Sequence, residues 1–290
     1  MRVTWILEAE VFPETHSAMS NAVLATHNQL LLWRDEWLST GQWPTLREEA
    51  VVFQGSLGNA STIRTRIPWQ PGAFCNTQAF CCSSWYPLAR QRLLHQHWTI
   101  VPASHLVTHQ HKIAEDLGSP ASVFVRPDSP LKPFSGRVLN VGSISLRALD
   151  HGFYYEEETL PVVVAPVRQI DHEWRYVVVN GEVVAGSAYD AGRRAALPDS
   201  PNGAAWRFAD QIARELSPPD DVYVLDVCYA DKTFHLLELN PFSGADLYAC
   251  DRMAIVQAVS SVARSIFNMA QATPEIPQQS GCSTPGANQG

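Results

Sequence analysis

The chain has 290 residues, a formal net charge of −8, and 46% hydrophobic against 17% charged residues. This balance suits one large core or two smaller ones and excludes a general nucleic-acid coat, so any polyanion would have to bind in a local basic pocket. No apolar run reaches the ~18 residues of a membrane span, and "MRVTWILEAEVF" meets Glu8 and Glu10 too early for a signal-peptide core; a cytoplasmic protein without membrane or nucleic-acid partners is expected.

Residues 1–12 read as a strand, and "SAMSNAVLATHNQLLLWRDEWLS" carries apolar residues at helical spacing. "EAVVFQGSLG" is a second strand ending in small residues. Its Gly55-Ser-Leu-Gly58 lacks both the GxxxxGK[ST] and the GxGxxG pattern, and a strand-to-helix turn is the simpler reading. The stretch 60–100, with "PGAFCNTQAFCCSSWYP", is rich in Pro, Gly and aromatics and reads as loops around short elements; it is either a substrate wall or a core-filling region. From residue 121 the pattern turns to strands: "ASVFVRP", "RVLNVGSISL", "TLPVVVAPV", then "RYVVVNGEVVAG", whose Asn180-Gly181 pair is a hairpin signal. A helix near 203–216, the strand pair in "DVYVLDVCYADKTFHLLELNPF" and a helix over about 251–270 follow. The division expected is an α/β amino-terminal domain (1–120), a second domain (121–271) and a polar tail (272–290) read as disordered. No internal repeat is visible.

Cysteines stand at 75, 81, 82, 228, 250 and 282 without a repeated CxxC pair, and reduced buried thiols are expected. A zinc site from Cys75, Cys81 and His95 is the alternative; Cys82, adjacent to Cys81, is badly placed for an ordinary disulfide. The five histidines of "HQHWTIVPASHLVTHQH" share no clear helical face.

Two segments carry chemistry. Asp226 and Glu238 interrupt the apolar runs "YVLDV" and "HLLEL", where a carboxylate is costly unless paired or bound to metal. Asn240 lies two residues beyond Glu238, on the same strand face. Two carboxylates and an amide carbonyl form a donor set that magnesium accepts, completing its shell with water and phosphate oxygens; solvent-facing polar residues of an antiparallel hairpin are the plainer reading. The second segment is "VFVRPDSPLKPFSGRVL", an apolar strand that breaks into Arg126, Lys132 and a Ser135-Gly136 bend before a new strand begins. A plain hairpin needs no fixed cations at its tip, and a phosphate-bearing nucleotide is the ligand that would.

An Asp, a turn and Glu-x-Asn, here Asp226, Glu238 and Asn240, resemble the late signature of the ATP-grasp superfamily. "RPDS…K.F.G" is similar to a clade of that superfamily marked by an Arg and a Lys six residues apart. The resemblance extends over most of residues 1–270. It implies an α+β ATP-grasp fold, two lobes clamping ATP, preceded by an α/β amino-terminal domain. It also implies Mg2+ on Asp226, Glu238 and Asn240. Arg126 would lie over the α- and β-phosphates, at the position where most of the superfamily carries Lys. Lys132, Ser135 and Gly136 would form the loop that closes over the β- and γ-phosphates, with Gly136 admitting backbone N–H groups. Ala165, Pro166 and Val167 would be the hinge that reads adenine, although the usual acidic residue is absent there. Glu173 would bind ribose or support the metal, and Arg175 would face the transferred phosphate, so that Arg126, Lys132 and Arg175 are the catalytic cations. Arg147, Arg168, Arg193, Arg194 and Arg252 are further candidates for a carboxylate or acceptor substrate.

The implied activity is a carboxylate–amine ligase working through an acylphosphate, with a small molecule or peptide and an amine as partners. A nucleotide-binding assembly factor like the eukaryotic cell-division-cycle ATP-grasp protein, and a kinase-like transfer to a hydroxyl, are the other readings. Oligomeric state is not legible.

Overall fold

The computed structural model describes residues 2–150, 158–190 and 195–272. Arg193, Arg194 and the tail from residue 273 therefore lie outside the described residues. The first layer holds β1 (Val3–Leu7), α1 (Pro13–Ala25), β2 (Gln29–Leu32), α2 (Glu36–Thr40), β3 (Ala50–Gln54), α3 (Leu57–Arg66) and β4 (Gln70–Gly72). Its strands pair in parallel in the order β2-β1-β3-β4. β1 and β3 are buried along their whole length, which is why they read as continuous apolar runs rather than alternating ones.

Next come α4 (Cys82–Ala89), β5 (Thr99–Pro102), α5 (Ala103–Asp116), β6 (Ser122–Pro127), β7 (Arg137–Asn140), α6 (Leu146–Asp150) and β8 (Pro161–Pro166). They supply an antiparallel sheet of order β5-β8-β6-β7. β5 and α5 precede residue 121 yet pack with the elements that follow it.

The third sheet, β11-β10-β9-β12-β13, is built from β9 (His172–Val179), β10 (Glu182–Asp190), β11 (Ala195–Pro198), β12 (Val222–Ala230) and β13 (Thr233–Pro241), with α7 (Ala204–Glu215) against it. Asn180 and Gly181 turn β9 into β10 with φ of 50° and 79°, as a two-residue hairpin loop requires. The last helix, α8 (Arg252–Ala272), returns to the first layer. There Ser260 accepts hydrogen bonds from Trp5 Nε1 and Asn28 Nδ2, both at 3.0 Å. The architecture is α+β, as expected. No described helix is long and apolar enough to cross a membrane.

Three sequence alternatives are decided by packing. Phe74, Phe80, Cys82, Trp85 and Tyr86 are all buried, so the aromatic stretch fills core instead of lining a substrate wall. Gly55-Ser-Leu-Gly58 is the turn from β3 into α3. Ser56 caps that helix by accepting from Asn59 N–H at 3.4 Å, and Glu8 accepts from Ser56 N–H at 2.7 Å and from Asn59 Nδ2 at 3.1 Å. A chain carboxylate thus fills the anion-favouring helix end. Cys75, Cys81, Cys82, Cys228 and Cys250 are free. Among the described residues no three His, Cys, Asp or Glu side chains group as a metal site, which removes the zinc alternative. Burial pushes the Cys75 thiol up to about 12 and that of Cys82 to about 11, so both are inert.

Candidate functional site

β12 runs between β9 and β13, and the register sets Arg175, Asp226 and Glu238 directly opposite one another across the three strands. Opposed residues share a face, so the three form one row. A bulge makes this row possible. Beyond Asp226 the pairing shifts, with Val227 opposite Leu236 but Asp226 opposite Glu238, so Leu237 is the extra residue. Without the bulge Leu237 would stand against Asp226 and Glu238 would turn to the other face.

Arg175 holds Asp226 with both arms, Nε to Oδ1 and Nη2 to Oδ2, each at 2.8 Å. Its Nη1 donates to the Asp246 carbonyl at 2.8 Å, and its guanidinium carbon lies 4.4 Å from the ring centroid of Tyr248. Asn240 Nδ2 donates to Asp226 Oδ2 at 3.1 Å. Sequence reasoning gave Arg175 a phosphate. In this arrangement most of its fork is spent on orienting Asp226.

Arg126, at the end of β6, pairs with Glu238 through its Nη2, and Lys132 Nζ reaches the same Oε1 at 2.9 Å. Lys132 has a φ of 49°, uncommon for a residue with a side chain. The turn that sets it is made by Ser129, whose hydroxyl accepts from Leu131 N–H at 3.2 Å and whose carbonyl accepts from Lys132 N–H at 3.3 Å. Gly136 owes its identity to a neighbour. A Cβ there would lie 2.7 Å from the Phe124 ring, so glycine lets the loop lie against that ring.

These side chains line a cavity of about 310 Å3. Arg126, Lys132, Ser135, Glu173 and Glu238 give it polar walls, and Phe124, Phe134, Ile170 and Leu237 apolar ones. The expected hinge lies elsewhere: Ala165, Pro166 and Val167 are not among the lining residues. Ala165 is buried opposite Phe124 in the β6–β8 ladder, and Pro166 borders a separate cavity of about 120 Å3 with His95 and Arg168. The His95 ring stacks on Phe124 with centroids 5.0 Å apart. Burial, and then the charge of Arg126, pull the His95 pKa down to about 4, so a neutral ring backs this apolar wall at neutral pH.

Burial alone would push the Glu238 carboxyl up, but Arg126 and then Lys132 outweigh it and hold the pKa at about 2. Glu173 is shifted the other way, raised by burial and then by the negative charge of Asp226, with Arg175 only partly offsetting this.

The remaining basic candidates disperse. Arg168 pairs with Asp231, and Arg147 is exposed on α6. Arg252 is buried and donates to the carbonyls of Leu247, Tyr248 and Cys250, so it braces the loop that carries Tyr248 and has no face for a substrate. Phe124, Ile170 and Leu237 were missed from sequence because apolar strand residues give no signal of which face they take. Asp246 and Tyr248 were missed because they act through a loop carbonyl and a ring face.

The ATP-grasp domain, R2K clade family 2, matches residues 106–258, more than half of the chain. The protein belongs to that family. No curated protein matches its sequence. Among solved structures, this ATP-grasp protein is similar to D-cycloserine synthetase DcsG, with a TM-score of 0.63 at 13% identity over 91% of this chain and 100% of the other. The ATP-grasp ligase PsnB, complexed with minimal precursor, Mg and ADP, gives 0.55 at 10% identity, covering 91% and 98%. Macrocyclase MdnC from Microcystis aeruginosa MRC, bound with precursor peptide MdnA, gives 0.55 at 12% identity, covering 91% and 100%. At such identities the likeness is one of fold, and the ATP-grasp fold expected from the sequence is the fold observed.

Proposed function

We propose that this ATP-grasp protein is an ATP-dependent ligase that joins a carboxylate to an amine through an acylphosphate. The observation that carries the reading is the meeting of Arg126 and Lys132 on Glu238 in a half-apolar cavity, next to the Arg175–Asp226 pair. A site of this size suits a nucleotide, with Phe124, Ile170 and Leu237 as walls for the base and the two cations for phosphates. An amino-terminal domain over 1–120 followed by an ATP-grasp domain over 121–271, with β5 and α5 packing on the ATP-grasp side of that boundary, and a cytoplasmic location belong to the same proposal.

Magnesium fits the donor set. Asp226 and Glu238 stand opposite each other, and Asn240, two residues beyond Glu238, lies on the same strand face, so two carboxylates and an amide oxygen supply hard oxygen ligands from one side of the sheet. When bound, the ion would neutralise charge on the phosphates and on the transferring phosphoryl group. Arg126 and Lys132 would exchange Glu238 for phosphate oxygens, keeping fixed positive charge where the phosphoryl group departs. Arg175 would hold Asp226 in one rotamer. The substrate carboxylate attacks the γ-phosphorus, the bond to ADP breaks, and the resulting acylphosphate is attacked at carbon by the amine, with phosphate leaving. No nucleophilic side chain is needed.

A peptide or amino-acid-sized substrate is the class proposed, supported by neighbours whose complexes contain precursor peptides. The test is ADP release from ATP in the presence of carboxylate and amine pairs. Release that requires both partners, with an amide product by mass, supports the ligase. Transfer of labelled phosphate to a stable ester would instead make it a kinase.

A further inference from the structure

We propose that Asp128 is a positioning residue for the nucleotide phosphates: it fixes Arg126 by tying the end of β6 to the first turn of α4. The inference rests on the nucleotide reading above and assigns a role to a residue that reading does not use.

Asp128 is buried, although it follows directly on an edge of the cavity loop. Its Oδ1 accepts from Ser83 N–H at 2.6 Å, and its Oδ2 accepts from the Ser83 hydroxyl at 2.9 Å. Its carbonyl accepts from Cys82 N–H at 3.0 Å, and its own N–H donates to the Pro161 carbonyl at 2.9 Å. Side chain and both backbone groups are thus committed, to two different elements.

The helix end explains why an acid is placed there. The first N–H groups of a helix have no partner within it, and the capping position usually supplies one. Cys81 stands at that position in α4 and makes no side-chain cap. Asp128 therefore caps the helix from another part of the chain, with its charge at the positive end. The same bonds have a consequence two residues upstream. Pro127 has a fixed φ and separates Asp128 from Arg126, so an anchored Asp128 leaves the Arg126 backbone little freedom. A cation that must meet phosphates gains from being held in place before they arrive.

A role in folding alone would also lower stability when Asp128 is changed, so the test must separate phosphate affinity from stability. Calorimetric titration with Mg-ATP and with adenosine would be made on the wild type, Asp128→Ala, Asp128→Asn, Arg126→Ala and the double variant. Asp128→Ala is expected to lose about tenfold in Mg-ATP affinity while adenosine affinity stays within about twofold. Asp128→Asn is expected to recover most of the loss, because the amide oxygen still accepts from Ser83 N–H. In the Arg126→Ala background, Asp128→Ala should cost nothing further, the non-additivity expected of residues acting through one group. Equal losses for Mg-ATP and adenosine, or additive losses in the double variant, would overturn the proposal. If Asp128→Ala does not fold, Ser83→Ala removes only the hydroxyl arm, and about a threefold loss with the same non-additivity is expected. A wild type that binds no Mg-ATP would refute the nucleotide site itself, and the positioning role with it.

Discussion

Arg126 and Glu238 lie 112 residues apart in the chain and form an ion pair in the wall of the cavity, with side chains 11% and 15% exposed. Lys132 shares the same carboxylate oxygen. One carboxylate therefore answers two cations that the proposed nucleotide would claim. Glu238→Gln leaves a nearly buried guanidinium without a counter-charge, and it should lower unfolding free energy by about 3 kcal/mol, near the lower end for breaking a buried pair. Turnover should be lost because the proposed magnesium site loses a ligand charge. Denaturant titration beside ADP release checks both; an unchanged midpoint and normal turnover would contradict the assignment.

The same pair sets a pH dependence. The folded Glu238 pKa is held below the ordinary glutamate value, so its contribution is fully present above about 4.5 and is lost as pH falls through about 2. Wild type and Glu238→Gln should therefore differ most in stability near neutral pH and converge in acid. A difference that persisted at low pH would place the effect in packing instead of charge.

Glu173 has the opposite shift, raised by burial and by neighbouring carboxylates. In the ligand-free protein Glu173→Gln should raise the melting temperature, by about 2 °C, since it removes a charge held at a cost. It should also weaken magnesium-dependent nucleotide binding. A fall in melting temperature would mean that Arg175 outweighs the crowding.

Arg252 was a candidate substrate cation, but its guanidinium serves three loop carbonyls. Arg252→Ala should lose about 3 kcal/mol of stability, since several buried acceptors lose a charged donor. Any effect on turnover should follow from displacement of Tyr248 from Arg175. A stable variant with a selectively raised KM for the carboxylate substrate would restore the substrate reading.

The parts of the site legible in sequence were those where chemistry interrupts a pattern. Asp226 and Glu238 stand out because apolar strands do not tolerate a bare carboxylate, and Arg126 with Lys132 because a turn needs no paired cations. Their convergence was not fully legible. It depends on the bulge at Leu237, which spacing alone does not reveal, since a regular hairpin would have put Glu238 on the opposite face. Ala165, Pro166 and Val167, where the hinge was expected, do not line this cavity: β8 is held between β5 and β6, a pairing among distant segments, with Ala165 buried opposite Phe124 and Pro166 bordering the neighbouring cavity. Similarly, "PGAFCNTQAFCCSSWYP" was ambiguous because a loop-rich composition does not say whether its aromatics face a ligand or the core. Asp128 stands inside the "RPDS" stretch, but its bond to Ser83 was not legible, since that partner is a helix end some forty-five residues earlier.

The measurement that bears most directly on the central claim is calorimetric titration with ATP and a non-hydrolysable analogue, with and without magnesium. Binding of one nucleotide per chain that strengthens with magnesium is the predicted result. Absence of binding, or binding indifferent to magnesium, would contradict a metal-nucleotide site built on Arg126, Lys132, Asp226 and Glu238.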